Sequence, residues 1–246
     1  MKLFALIKEF GKRQSFQPNI LSVILNPVLF QRLDLYLFIK KNAGLFQGKL
    51  IDFGCGRKPF QNLFINTEEY LGVDIEVSGH NHEESLVDIF YDGKTIPVKD
   101  GFFDTLLCSE VVEHLFYPEV LLSELNRVLK IDSIGIFTFP FVWQEHETPF
   151  DYARYSSYGG KFLLEKYGFE VIEFKKNGHF LITLWQLFIN SIFELFASKN
   201  RYLNTVFTAI FIFPLNVIGL IIYILPTSKS FYMTNMFLVK KVKDVT

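Results

Sequence analysis

Residues 49–60, KLIDFGCGRKPF, join a short apolar run to a glycine turn. Leu50, Ile51 and Phe53 carry one acid between them, Asp52. A strand buried on both faces of a parallel sheet reads as such a run. Gly54 and Gly56 have no Cβ, so the backbone can turn sharply there and approach a ligand closely. Pro59 suits the first turn of a helix, where its missing N–H has no intrahelical partner anyway. The expectation is a strand–loop–helix nucleotide site whose backbone N–H groups face the ligand.

The dinucleotide fingerprint needs a third glycine three places after the second, and Pro59 stands there. Asp52 would repel a pyrophosphate and attract a cationic group, so a nicotinamide-dependent oxidoreductase is disfavoured. The chain has 246 residues, enough for one large domain or a domain with an appendage. A net charge of −1 leaves no basic footprint for nucleic acid. The two cysteines, Cys55 and Cys108, suggest neither a disulfide framework nor a metal knuckle. Twenty-nine phenylalanines and a mean hydropathy of +0.23 imply that part of the chain meets lipid or a partner.

Downstream, Tyr70-Leu71-Gly72-Val73-Asp74 reads as a second buried strand ending in an acid. A carboxylate at the carboxyl end of such a strand can accept both hydroxyls of a ribose; Glu76 is the fallback. Residues 84–89 form a weaker third strand, 105–108 a fourth, 136–139 a fifth, 169–174 a sixth and 235–240 a seventh. Helices are expected over 118–130 and 160–167. Asp104 opens strand four, away from the carboxyl edge, and reads as structural.

In that context D-x-G-C-G resembles motif I of the class I S-adenosylmethionine-dependent methyltransferases. Ser109-Glu110-Val111-Val112-Glu113-His114-Leu115 resembles the "s-e-v-l-E-H" segment of the small-molecule and quinone methyltransferases of that class, the type 11-like group. Residues 140–156, PFVWQEHETPFDYARYS, resemble the "hE-x-P-x-D-y-x-R-y-t" segment of a subset linked with bacterial glycan or lipid pathways. The resemblance covers about residues 45–175 and the last strand. It implies an α/β fold, a Rossmann-like doubly wound seven-stranded sheet of order 3-2-1-4-5-7-6 with strand 7 antiparallel.

The resemblance also implies S-adenosylmethionine as cofactor. Gly54, Cys55 and Gly56 would cradle its methionine end, with Asp52 near its amino group. Asp74 and Ile75 would hold the ribose, and Asp88 and Ile89 the adenine. Ser109, Glu110 and His114 would lie beside the cofactor. Glu113 and His114 cannot face the same way, being adjacent, so one faces the cleft while the other anchors the loop. No third metal ligand is evident at a suitable spacing, and no metal is expected. In the loop after strand five, His146 is the candidate general base, because imidazole titrates near neutrality. Trp143, Asp151, Arg154 and Tyr155 are the candidate acceptor contacts, although Asp151 and Arg154, three apart, could instead pair to shape the loop. The reaction expected is an in-line methyl transfer to a small-molecule, glycan or lipid-linked acceptor, dominated by proximity. The alternative is a membrane-associated protein that keeps the fold and binds the cofactor without turnover.

Residues 175–234, between strands six and seven, depart most from the pattern. They hold two long apolar stretches, 180–197 and 206–225. The first carries Thr183, Gln186, Asn190, Ser191 and Glu194 as a narrow polar stripe, and the second is long enough to cross a bilayer. A spanning hairpin would put Lys199 and Arg201 on the wrong side of the positive-inside preference. The expectation is an apolar helical hairpin in peripheral or re-entrant contact with the inner face of the membrane of a cytoplasmic protein. A homodimer contact, a lid and true spanning stay open. Residues 1–13 suit a short basic amphipathic helix through Leu3, Ile7 and Phe10. The organisation expected is N-terminal helices capping the cofactor site over 1–44, the methyltransferase domain over 45–178 and 232–246, and the insert over 179–231.

Overall fold

The computed structural model describes residues 15–75 and 85–245. The expected amphipathic helix at Leu3–Phe10, Glu76 and Glu84 lie outside these residues. The described elements run α1 (Ser22–Leu25), α2 (Leu29–Asn42), β1 (Gly48–Phe53), β2 (Thr67–Ile75), β3 (Ile89–Tyr91), β4 (Phe103–Ser109), α3 (Pro118–Val128) and β5 (Leu129–Pro140). They continue α4 (Ser157–Lys166), β6 (Phe169–Lys176), α5 (Phe180–Phe196), α6 (Arg201–Phe207), α7 (Phe213–Tyr223) and β7 (Thr234–Lys241). The seven strands form one sheet in the order β3-β2-β1-β4-β5-β7-β6. β1 runs parallel to β2 and β4, and β5 parallel to β4, while β7 is antiparallel to β5. This is the expected Rossmann-like order, with the helical insert between β6 and β7.

The chain divides into two compact units. One takes in the described residues up to Leu37 together with Lys176–Met233; the other is Phe38–Lys175 with the chain from Thr234 on. This grouping differs from the sequence division, which set residues 1–44 apart as a cap of the cofactor site. Most of that segment shares a unit with the insert, because its backbone meets the insert's polar side chains.

In the sheet unit the core is apolar. Ile51, Phe53, Leu106, Phe137 and Phe139 from the strands are buried with Leu121, Leu122, Leu125 and Val128 from α3. α3 starts with Pro118 at its first turn and presents those four residues along one face. α4 is capped by Ser156, whose Oγ accepts from Gly159 N–H at 3.1 Å. The helix expected to open at Pro59 is absent among the described residues; a single 3-10 turn, Gln61–Leu63, stands in its place. Phe60 and Phe64 turn inward there, and β2 starts at Thr67, leaving too few residues for a helix.

In the helical unit polar side chains join apolar ones such as Phe30, Ile182, Ile189 and Ile212 inside. Thr183, Gln186 and Asn190 of α5 and Asn216 of α7 are buried. Gln186 Nε2 donates to Pro27 O (2.8 Å) and to Asn190 Oδ1 (2.8 Å), and its Oε1 accepts from Phe30 N–H (3.0 Å). Asn216 Nδ2 donates to Val23 O (2.9 Å) and Asn26 O (3.0 Å). Tyr223 Oη donates to Asp34 Oδ1 at 2.6 Å, and Gly178 N–H donates to Asp34 Oδ2 at 2.9 Å. The surface of the same unit is apolar: Phe188, Leu195, Leu203, Ile210, Phe211, Ile221 and Ile224 are exposed, Leu195 and Ile224 by 76% and 77%. The helix Tyr202–Tyr223 is long and apolar enough to cross a membrane. It passes through a π segment, Thr208–Ile212, just before Pro214, which has no N–H for the helical ladder.

Candidate active site

β1 and β4 lie side by side at the centre of the sheet, and both end at its carboxyl edge. There Asp52 is almost fully buried, 4% exposed, and accepts from Tyr70 Oη at 2.6 Å. Burial raises its pKa from 3.8 to about 7, and the Tyr70 bond and Lys58 offset only part of that. A carboxylate so placed favours a neighbouring cation, which fits the amino group that Asp52 was expected to meet. Gly54 sits at φ +73, and a Cβ there would lie 2.3 Å from Val111 Cγ2. Only glycine fits.

The turn is tied back to β2 instead of offering empty donors. Gly54 and Cys55 N–H donate to Val73 O (2.8 and 3.3 Å), and Gly56 N–H donates to Asp74 Oδ2 (3.0 Å). This corrects the expectation of free loop N–H groups. The loop ends in a 3-10 turn, so no α-helix end assembles them. Asp74 Oδ1 accepts from Ile75 N–H at 2.9 Å. A carboxylate oxygen has a second lone pair, so both oxygens keep room for a ribose hydroxyl.

Asp88 precedes β3, whose first residue is Ile89. Asp88 Oδ2 accepts from Gly72 N–H (2.7 Å) and pairs with Lys58 Nζ. Lys58 was not singled out from the sequence. Its side chain is 93% buried (7% exposed), lies over Tyr70 at 5.8 Å from the ring centroid, and stands against Asp52, Asp74 and Asp88 as an internal cation. A lone lysine inside a glycine turn ringed by three acids was the available signal.

Ser109 and Glu110 follow at the end of β4. Ser109 Oγ lies 3.0 Å from Thr138 Oγ1, which donates to Glu110 Oε1 at 3.1 Å and accepts from Glu110 N–H at 3.0 Å. Glu110 holds φ 56, a left-handed conformation that non-glycine residues take at a cost. Val112–His114 form a 3-10 turn. Tyr152 and Ala153 N–H both donate to Glu113 O (2.9 and 3.2 Å), and His114 Nδ1 meets Phe150 O at 2.9 Å. Thus Glu113 and His114 both anchor the loop after β5, and their side chains come together instead of dividing the work.

In that loop Arg154 grips Asp151 with two parallel bonds (Nη1–Oδ1 2.5 Å, Nη2–Oδ2 2.6 Å) and reaches Trp143 O and Gln144 O. Arg154 lowers the Asp151 pKa to about 2. The pair shapes the loop, as the alternative reading had it. Tyr155 packs its ring on Phe139, 5.4 Å between centroids, and its carbonyl accepts from Asn235 Nδ2 at 2.7 Å; it is partly buried against the core. Trp143 is half-buried. His146 Nδ1 stands 3.3 Å from both Gln144 O and Asp151 Oδ2, and its ring meets that of His114 at 4.7 Å between centroids.

The methyltransferase domain family Methyltransf_11 matches residues 51–137, the segment from β1 to β5 that carries these features. An uncharacterised protein of Methanocaldococcus jannaschii is 28% identical over 123 residues, 46% of this chain and 50% of its own length. The chain therefore aligns with about half of that relative. Among solved structures, an S-adenosylmethionine-dependent methyltransferase from Archaeoglobus fulgidus is similar with a TM-score of 0.50 and 18% identity, over 87% of this chain and 93% of that one. Phosphoethanolamine N-methyltransferase 2 of Haemonchus contortus, in complex with S-adenosyl-L-methionine, gives a TM-score of 0.52 and 14% identity, over 86% of this chain and 53% of that one. At these identities the structural likeness is one of fold. Residues 51–137 match the methyltransferase domain family, and the sheet order is that of the class I S-adenosylmethionine-dependent methyltransferase fold. The buried Asp52 beside a glycine-only turn fits S-adenosylmethionine as the cofactor.

Proposed function

We propose that the protein methylates a small-molecule, glycan or lipid-linked acceptor held by the loop after β5, at the cytoplasmic face of a membrane. The observation that carries this reading is the shared carboxyl edge of the sheet. The Asp52–Gly56 turn after β1 and the His146-bearing loop after β5 both follow strands that end there. Bound S-adenosylmethionine supplies a methyl group already activated on a sulfonium. The chain's part is to hold the partners in line, which contributes about 7–11 kcal/mol when well oriented. Asp52, Gly54, Gly56, Asp74 and Asp88 hold the cofactor, and Ser109 and Glu110 flank it. His146 accepts the acceptor's proton at Nε2, because Gln144 O and Asp151 keep the other proton on Nδ1. One such base is worth about 10²–10⁴-fold, so positioning dominates.

The helical unit supports the membrane setting: buried Gln186 and Asn216 bond to backbone carbonyls inside it while many large apolar side chains face outward, an order suited to hydrocarbon surroundings.

Calorimetry of the full chain with S-adenosylmethionine and with NAD is the first test. Binding of the former alone is expected, with at least a hundredfold loss in Gly54→Val. No binding of S-adenosylmethionine overturns the reading. Incubation with radiolabelled S-adenosylmethionine and a lipid and metabolite extract should then label an acceptor; binding with no labelled product leaves the non-catalytic alternative.

A further inference from the structure

We propose that Glu113, His114, His146 and Glu147 form a binding site for one divalent transition-metal ion. One ligand atom each from Glu113, His114 and His146 lie within 4.8 Å of one another. His114 Nε2 is 3.8 Å from Glu113 Oε1 and 3.7 Å from Glu147 Oε1. Those separations are too long for hydrogen bonds. They are close to the spacing of donors around an ion: tetrahedral ligands at about 2.0–2.1 Å stand roughly 3.3–3.4 Å apart. The nearest pairs need to close by about 0.4 Å, and the widest by up to about 1.5 Å.

Three further observations point to a cation. Glu113 is fully buried, and both its carboxylate oxygens lack a hydrogen-bond partner, as does the buried Nε2 of His114. A buried carboxylate left in that state is costly unless a charge meets it. The second observation is the orientation of the imidazoles. Phe150 O can only accept, so His114 Nδ1 carries the proton and Nε2 carries the lone pair. Gln144 O and Asp151 Oδ2 do the same for His146 Nδ1. Carbonyl and carboxylate partners on the outer nitrogen are how ligating histidines are set. The two Nε2 lone pairs and the Glu113 oxygens thus converge. The third is Glu147's left-handed backbone, φ 54, a second non-glycine residue so held beside the cluster after Glu110.

Two imidazoles and two carboxylates suit Zn²⁺, Mn²⁺ or Fe²⁺; Mg²⁺ and Ca²⁺ prefer oxygen ligands alone. The ion would draw together the turn after β4 and the loop after β5, whose backbones are already joined at Glu113 O and Phe150 O. One consequence rests on the methyl-transfer reading. An ion held by Glu113, His114 and His146 would act as a Lewis acid toward an acceptor hydroxyl, and His146, as one of its ligands, would then position the ion instead of serving as the base.

The test uses tag-free full-length protein stripped with chelator, then titrated with Zn²⁺, Mn²⁺ and Mg²⁺ by calorimetry and by thermal unfolding. One Zn²⁺ or Mn²⁺ per chain is expected, with a raised Tm and at least tenfold weaker binding in Glu113→Gln and Glu147→Gln. Glu147, the more exposed of the two, carries the test if Glu113→Gln does not fold. No uptake of Zn²⁺ or Mn²⁺, or affinity unchanged in the folded variants, overturns the proposal. S-adenosylmethionine binding is measured on the same samples. Metal uptake without it would sink the cofactor reading alone, and cofactor binding without metal uptake would sink the metal site alone.

Discussion

The two units differ in what they mix into their interiors and leave on their surfaces. In the sheet unit Leu106, Leu122, Phe137 and Phe139 are inside, and burying them out of water drives that unit together. In the helical unit Gln186, Asn190 and Asn216 are inside, while Ile210, Phe211, Ile221 and Ile224 are outside. Polar pairing inside and an apolar exterior do not stabilise a fold in water; next to lipid both become favourable. That contrast is what the proposed membrane contact of the helical unit rests on.

The sharpest way to break this contrast is to charge the outward face. Ile210 and Ile221 are 57% and 62% exposed, so Asp at both should leave the helices folded. A charge at the centre of a membrane helix costs about 2.5–3.5 kcal/mol, so the double variant should leave the membrane pellet for the supernatant. If it sediments as the wild type does, the outward apolar face does not meet lipid. In the sheet unit Leu122→Ala should lower stability by about 3 kcal/mol, read from urea unfolding, because Leu122 is fully buried under the sheet. A smaller change is expected for Gln186→Leu, about 2 kcal/mol, since Phe30 N–H and Pro27 O lose their partner. A stabilised Gln186→Leu would show that the polar interior holds nothing together.

The smallest effect concerns Asp52, the buried acid proposed to meet the cofactor's amino group. The folded Asp52 pKa, about 7, exceeds the ordinary 3.8, so between those values the folded protein holds a proton that the unfolded chain has lost. That contribution to stability is greatest in acid and declines as pH rises from about 4 to about 7. An ammonium beside Asp52 favours the ionised form. S-adenosylmethionine affinity should therefore rise about tenfold between pH 6 and pH 7.5, with close to one proton released on binding at pH 6. Titrations in buffers of different ionisation heat measure both, and an affinity independent of pH would remove the ammonium from Asp52.

Local pattern made much of this legible. The strands other than the third, the place of the insert and the D-x-G-C-G turn follow from apolar runs and glycines read in order; the third, expected over 84–89, is Ile89–Tyr91 and meets that reading at Ile89 alone. What stayed hidden depends on where distant residues meet. His146 lies 32 positions from His114 (146 − 114), and only the pairing of β4 with β5 brings the two rings to 4.7 Å; no spacing rule could supply that third ligand. The stripe on α5 was visible as polar, but periodicity gives a face without saying whether it turns in or out. The helix after Pro59 failed because Phe60 and Phe64 favour burial over helical continuation.

The place of β7 has a consequence for the order of assembly. It lies between β5 and β6 in the sheet, yet it follows the whole Lys176–Met233 segment in the chain. During synthesis β6 has no neighbour to pair with until α5, α6 and α7 have emerged. The sheet is therefore completed last, by a strand that closes the gap between β5 and β6. Until β7 is in place those two strands present unpaired edges, the kind of surface that invites aggregation.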